Sequence, residues 1–102
     1  MPRSNSAPDQ QATWFAAFSE PTRLALIRAL AAGEKTVTQL AAEVGAEIVN
    51  VSHHLKIMKD AELVTAQKDG RFMIYSLVGA AVAKGMLELS HTSGAKVSLP
   101  LE

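Results

Sequence analysis

Apolar positions recur at helical spacing through the first sixty residues and then fall into a period of two. From Gln10 to Phe18, Trp14, Phe15 and Phe18 stand at i, i+1 and i+4, which predicts a short amphipathic helix whose aromatics are core or a dimer seam. Ser19-Glu20-Pro21 predicts the start of a second helix, with Ser19 capping free backbone N–H groups and Pro21 in the first turn. Leu24, Ile27, Leu30 and Ala31 line its inner face, and Gly33 ends it. A third helix is expected from Thr36 to Val44, with Val37, Leu40, Ala41 and Val44 inward. Gly45 is the tight link to a fourth, from Glu47 to Ala61, whose inward stripe is Ile48, Val51, Leu55 and Met58. Two short helices joined through a glycine make a helix-turn-helix.

After Glu62 the period changes. Leu63 to Gln67 reads as a strand, Lys68 to Arg71 as a turn and Phe72 to Leu77 as a second strand. Asp69-Gly70 favours a two-residue hairpin turn, because glycine readily takes positive φ. Phe72, Ile74 and Ser76 share one face of the hairpin, and Met73, Tyr75 and Leu77 the other. A last helix is expected from Ala80 to His91, carrying Val82, Met86, Leu87 and Leu89. Residues 1–9 and 92–102 read as flexible tails around one domain, 10–91. The fold class expected is mainly α with a small β-hairpin, α-α-α-α-β-β-α.

A hairpin directly after a helix-turn-helix is a winged module, and its shape suits duplex DNA. The second helix of the motif fits the major groove, and the hairpin tip reaches neighbouring phosphates or the minor groove. With Val51, Leu55 and Met58 inward, the opposite face of the fourth helix carries Asn50, Ser52, His53, Lys56 and Lys59. Ser52 and His53 are short or planar hydrogen-bonding groups suited to base edges, and Asn50 offers an amide to adenine or phosphate. Lys56 and Lys59 are point charges for phosphate, and Lys68 and Arg71 flank the hairpin turn. His54, beside Leu55, reads as a packed, hydrogen-bonded histidine. Any one surface lysine is ordinarily just solvated; the elements in this order are what point to DNA.

Composition adjusts the picture without changing it. At 102 residues, 48% apolar and 20% charged, the chain suits one folded domain small enough to gain from burial against a partner subunit. Ten basic and ten acidic side chains cancel, so the phosphate contribution is expected to be modest and the salt dependence shallow. There is no cysteine, which excludes disulfides, thiolate metal sites and thiol switches. The sequence has neither a signal-peptide pattern nor a run of about 20 apolar residues, and a cytoplasmic location is expected. Nothing resembles a nucleophile-base pair, a carboxylate pair or a phosphate loop, so an enzyme is not expected and no cofactor is implied.

The chain resembles the ArsR-type winged helix-turn-helix repressors from about Trp14 to His91. The likeness rests on FSEPTRLALIRAL, on TVTQLAAEVG followed by VSHHLKIMKDAELV, and on KDGRFMIYSL. It implies Ser52 and His53 facing DNA bases, Lys68 and Arg71 in the wing, and a homodimer. The seam of that homodimer is formed by the first and last helices, through Trp14, Phe15, Phe18, Val82, Met86 and Leu89. Near the start of the fourth helix, where the family often has polar residues, stand Glu47, Ile48 and Val49. Glu47 can cap the helix, and Val49 either meets a thymine methyl or widens an apolar surface.

The family's metal sites do not carry over. Thr36 and Thr38 stand where thiol-using members have Cys-x-Cys, Gly79 and Ala81 replace an Asp-x-His pair, and His91 is followed by Gly94. The reading is therefore a dimeric repressor on a pseudo-palindromic operator, partnered by double-stranded DNA. Alternatives are induction by a small organic molecule or partner protein near Trp14 and Met86, and a winged module used only for protein–protein contact.

Overall fold

The computed structural model describes residues 7–101. Among them run α1 (Ala7–Ala16), α2 (Pro21–Ala31), β1 (Lys35–Thr36), α3 (Val37–Val44), α4 (Ile48–Asp60), β2 (Val64–Asp69), β3 (Phe72–Leu77), β4 (Ala80–Ala83), β5 (Met86–Ser90) and β6 (Lys96–Pro100). The expected N-terminal tail lies outside the described residues over 1–6, and its last three residues open α1.

Local chemistry sets the helix ends. Glu20, not Ser19, is the N-cap of α2: its Oε1 accepts from the Thr22 N–H at 2.7 Å, and its carbonyl accepts from Leu24 N–H at 3.0 Å. Ser19 is turned back instead, donating both its backbone N–H, at 3.1 Å, and its hydroxyl, at 2.9 Å, to Ala16 O at the end of α1. Thr36 and Gln39 form a reciprocal capping box at α3, and Gly45, at φ 69°, ends that helix in the left-handed conformation. Ala46 and Glu47 complete the turn to α4. Glu47 occupies the N-cap position of α4 without a side-chain capping bond.

The core is assembled around the helix-turn-helix. Leu26, Ile27, Leu40, Val51, Leu55, Met58 and Leu63 have no exposed surface. Ile48, expected inward, is 49% exposed; it lies a turn ahead of Val51, at the end of the stripe where no neighbouring element covers it. The first sheet has the order β1-β3-β2. The wing is the antiparallel pair β2–β3, and the short β1, not anticipated from the hydrophobic pattern, adds Lys35 opposite Tyr75 and Thr36 opposite Ile74. This ties the start of α3 directly to the wing.

The expected last helix is absent. Residues 80–91 form β4, a Lys84-Gly85 turn and β5, and the segment read as a C-terminal tail supplies β6. Together they make a second antiparallel sheet of order β4-β5-β6. The physical reason is the pairing itself. Leu87 and Leu89 alternate with Met86, Glu88 and Ser90, and β6 offers Val97 and Leu99 opposite Leu89 and Leu87 on the same inner face. An isolated helix would have placed Gly85 in its interior and left those pairs unmade. Leu87 and Leu89 are fully buried, and Trp14 joins them in the same core.

Candidate nucleic-acid interface

The two faces of α4 are sharply different. Val51, Leu55 and Met58 are sealed in the core, whereas Val49, Asn50, Ser52, His53, Lys56 and Lys59 are all exposed. Ser52 and His53 sit in the middle of the exposed face. Val49, at 79% exposure, is presented to solvent in the first turn beside Ile48. Lys56 Nζ lies 3.2 Å from Asp60 Oδ2, one turn on. Both side chains are largely exposed, so the pair is weak and a phosphate can compete for the ammonium. Lys59 has no carboxylate partner among the described residues.

His54 has a different task from its neighbour. It is half-buried, and its Nδ1 lies 3.1 Å from the Arg23 guanidinium Nη1, with Nε2 3.2 Å from Glu20 Oε2. Arginine can only donate, so Nδ1 must accept. The ring proton then belongs on Nε2, the nitrogen nearer the carboxylate, although Glu20 Oε2 itself receives no hydrogen bond among the described residues. Arg23 is itself fixed by a bond from Nε to Ala17 O at 3.0 Å. Glu20 carries the consequence in its ionisation: the Thr22 backbone N–H, with His54 adding to it, holds the Glu20 carboxyl below its ordinary value against an opposing cost of burial. This chain of groups pins the middle of α4 to the start of α2 and fixes the helix's rotation. The partners are 31 residues apart, and no local pattern marks them.

The wing tip is built by its register. Asp69 pairs with Phe72 and Lys68 with Met73, so the two central turn residues are Gly70 and Arg71 rather than Asp69 and Gly70. Gly70 has φ 63°, and Arg71 is not among the residues with positive φ. Positive φ at the first central position alone is the type II′ pattern, which asks for glycine there. Arg71 is thereby carried at the very end of the hairpin, with Lys68 on the adjoining strand; both are exposed. Phe72, 55% exposed, adds an aromatic ring beside them.

The residues expected at a dimer seam divide into two groups. Trp14, Phe18 and Leu89 belong to this chain's own core, whereas Phe15, Val82 and Met86 remain exposed. His91, expected on a helix, instead sits at the end of β5 with its ring buried. Its Nδ1 accepts the Ser93 N–H at 3.1 Å, its Nε2 is 2.8 Å from Glu62 Oε1, and its ring lies 5.5 Å from that of Trp14. Glu62 has φ 64° at the junction between α4 and β2. The second sheet is thus bonded to the joint between the exposed helix and the wing. Among the described residues, no group of three or more His, Asp or Glu side chains is placed to hold a metal ion. Nor, among the described residues, is any helix long and apolar enough to cross a membrane.

Comparison with known proteins agrees with this geometry. Residues 20–66, which span α2 to the middle of β2, match the family model described as bacterial regulatory protein, arsR family. The transcriptional regulator NmtR of Mycobacterium tuberculosis is 35% identical over 83 residues, covering 81% of this chain and 69% of NmtR. The transcriptional repressor SdpR of Bacillus subtilis is 36% identical over 63 residues, covering 62% of this chain and 70% of SdpR. Among solved structures, the homodimeric winged helix-turn-helix DNA-binding domain of Mb0332 from Mycobacterium bovis superposes with a TM-score of 0.70 at 29% identity, covering 76% of this chain and 74% of that one. With α4 and the wing disposed as described, these likenesses place the chain among DNA-binding transcriptional regulators rather than enzymes: it belongs to the ArsR family of winged helix-turn-helix proteins.

Proposed function

We propose that this protein is a repressor that binds a pseudo-palindromic operator as a homodimer, with α4 in the major groove and the β2–β3 wing on the flanking backbone. The observation that carries the reading is the division of α4. Its apolar stripe is locked into the core while Asn50, Ser52 and His53 stand exposed in a row that ends in Lys56 and Lys59. Ser52 and His53 read base edges, Asn50 contacts adenine or phosphate, and Val49 meets a thymine methyl. Lys56, Lys59, Lys68 and Arg71 bind phosphate. The homodimer of the Mb0332 domain and the repressor activity named for SdpR support extending the reading to a two-fold complex that blocks transcription.

The regulation proposed does not run through the family's familiar metal positions. Thr36 is committed to the capping box of α3, its hydroxyl accepting from the Gln39 N–H at 3.2 Å. Gly79 and Ala81 offer no donor side chain, and His91 is engaged by Glu62 and Ser93.

A gel-shift series on the promoter of the protein's own gene tests the function. Retention at low salt is expected. His53→Ala should relax base preference at one position of each half-site, and Arg71→Ala should weaken binding about equally on every sequence while flattening the salt slope by about one. No retention at low salt, or binding indifferent to Lys56, Lys68 and Arg71, would instead favour a module for protein–protein contact.

A further inference from the structure

The two outer strands of the second sheet are not equivalent. The Ser90 N–H bonds to Gly79 O at 2.9 Å, and Ala81 pairs with Glu88 and Ala83 with Met86. Hydrogen-bonded positions alternate along an antiparallel ladder. The N–H and C=O groups of Gly79, Ala81 and Ala83 therefore point at β5, and those of Ala80 and Val82 point away from the sheet. Neither Ala80 nor Val82 has a partner for these groups among the described residues. On the far side, the His91 N–H bonds to Ala95 O and the Leu101 N–H to Gly85 O, so Lys96, Ser98 and Pro100 face outward from β6. That edge is blunted: Lys96 is charged, Pro100 has no N–H, and Pro100 O already accepts from Arg28 Nε at 3.1 Å. The β4 edge has none of these protections. Ala80 to Ala83 are all exposed and uncharged, and Val82 is 52% exposed. Ala80 and Val82 also line a cavity of about 270 Å³ that they share with the C-terminal end of α2 and the end of β3.

We propose that the β4 edge pairs antiparallel with the β4 edge of a second copy, joining the two second sheets into one across a two-fold axis at Ala81. This deepens the dimer in the proposed function and rests on it for the expectation of two-fold symmetry. The register follows from the free groups. With Ala81 opposite the partner copy's equivalent residue, Ala80 of each copy meets Val82 of the other as a hydrogen-bonded pair. Each then exchanges the N–H and C=O groups that the monomer leaves unpaired. A shift of the axis to Ala80 would require outward groups at Val78, whose N–H is already given to Leu63 O at 3.0 Å. No like charges meet at any position of this seam. Trp14 and Leu89 take no part, being sealed in each copy's core, while the exposed Val82 lies on it.

Cysteine substitution tests both the edge and the register, because the chain has no cysteine of its own. At the two-fold axis the Cα atoms of a non-hydrogen-bonded pair lie about 4.5 Å apart, within disulfide range. Ala81→Cys in the full chain should therefore crosslink to a dimer under mild oxidation at micromolar concentration. Ala83→Cys should stay monomeric on a non-reducing gel, since its counterpart is displaced by ~13 Å along the strand. Val82→Pro removes only an outward N–H, which an edge strand tolerates. It should raise the dimer dissociation constant about tenfold or more by light scattering, with an unchanged circular dichroism spectrum. Equal crosslinking at positions 81 and 83, no crosslinking at 81, or a wild-type chain that is monomeric throughout would overturn the proposal. Gel shifts on the same samples separate the two readings. Retention of promoter DNA without Ala81→Cys crosslinking sinks the edge alone, and crosslinking without retention sinks the operator reading alone.

Discussion

The two three-stranded sheets are built from similar lengths of chain and used in opposite ways. The wing sheet, β1-β3-β2, buries one end of its hairpin and extends the other into solvent, with Lys68 and Arg71 at the tip. The second sheet, β4-β5-β6, turns Leu87 and Leu89 wholly into the core and clamps α1 through Trp14, His91 and a bond from Gln11 Nε2 to Ser93 O. One sheet presents charge, and the other supplies burial. A small domain needs both, because its surface is large for its volume and an exposed cationic hairpin contributes little to stability.

The strongest way to break this contrast is Trp14→Ala. It removes a fully buried ring that packs edge-on against Phe15 and Phe18, and it should destabilise the chain by about 3–5 kcal/mol in urea unfolding. Trp14→Phe should cost less, since it also deletes a buried indole N–H that has no acceptor among the described residues. Arg71→Ala in the wing should move the same midpoint by no more than about 0.5 kcal/mol. If Arg71→Ala destabilised the chain as much as Trp14→Ala, the division of labour between the sheets would be wrong.

His91→Ala sharpens the contrast at the point where the second sheet is bonded to the joint between α4 and the wing. Losing the bonds to Glu62 and Ser93 should cost about 1–3 kcal/mol. A double-mutant cycle with Glu62→Ala should show that much of the loss is shared. Additive effects would mean that the sheet is not braced through this pair.

The smallest effect is expected at Glu20, on the other side of α4. Its carboxyl is held below its ordinary value in the folded state, so its contribution is complete above the ordinary carboxylate value and is lost as pH falls through the lower folded value. Glu20→Gln should therefore reduce stability at neutral pH and make the loss on acidification shallower. Identical acid profiles for the two proteins would remove the helix-start carboxylate from the account.

Much of the candidate interface was legible because its signals are local. The glycine at the end of α3, the Asp-Gly-Arg turn and the three-four spacing of Val51, Leu55 and Met58 each act within a few residues. The exposed face of α4 follows once the buried face is known. What local signals could not supply was the tie between Arg23, Glu20 and His54, or the choice between core and seam for Trp14. Both depend on side chains brought together from distant parts of the chain.

The sequence by itself determined the helix-turn-helix, the wing and the side chains they present, because periodicity, capping chemistry and a glycine turn all favour one local answer there. Between Ala80 and Pro100 they do not. Alanines and the spacing of Val82, Met86 and Leu89 suit a helix, while the alternation through Leu87 and Leu89 suits a strand. Only the tertiary structure decided it. β6 completes the ladder, Trp14 closes over the leucines, and the pairing that a lone segment cannot make outweighs the helix that it could.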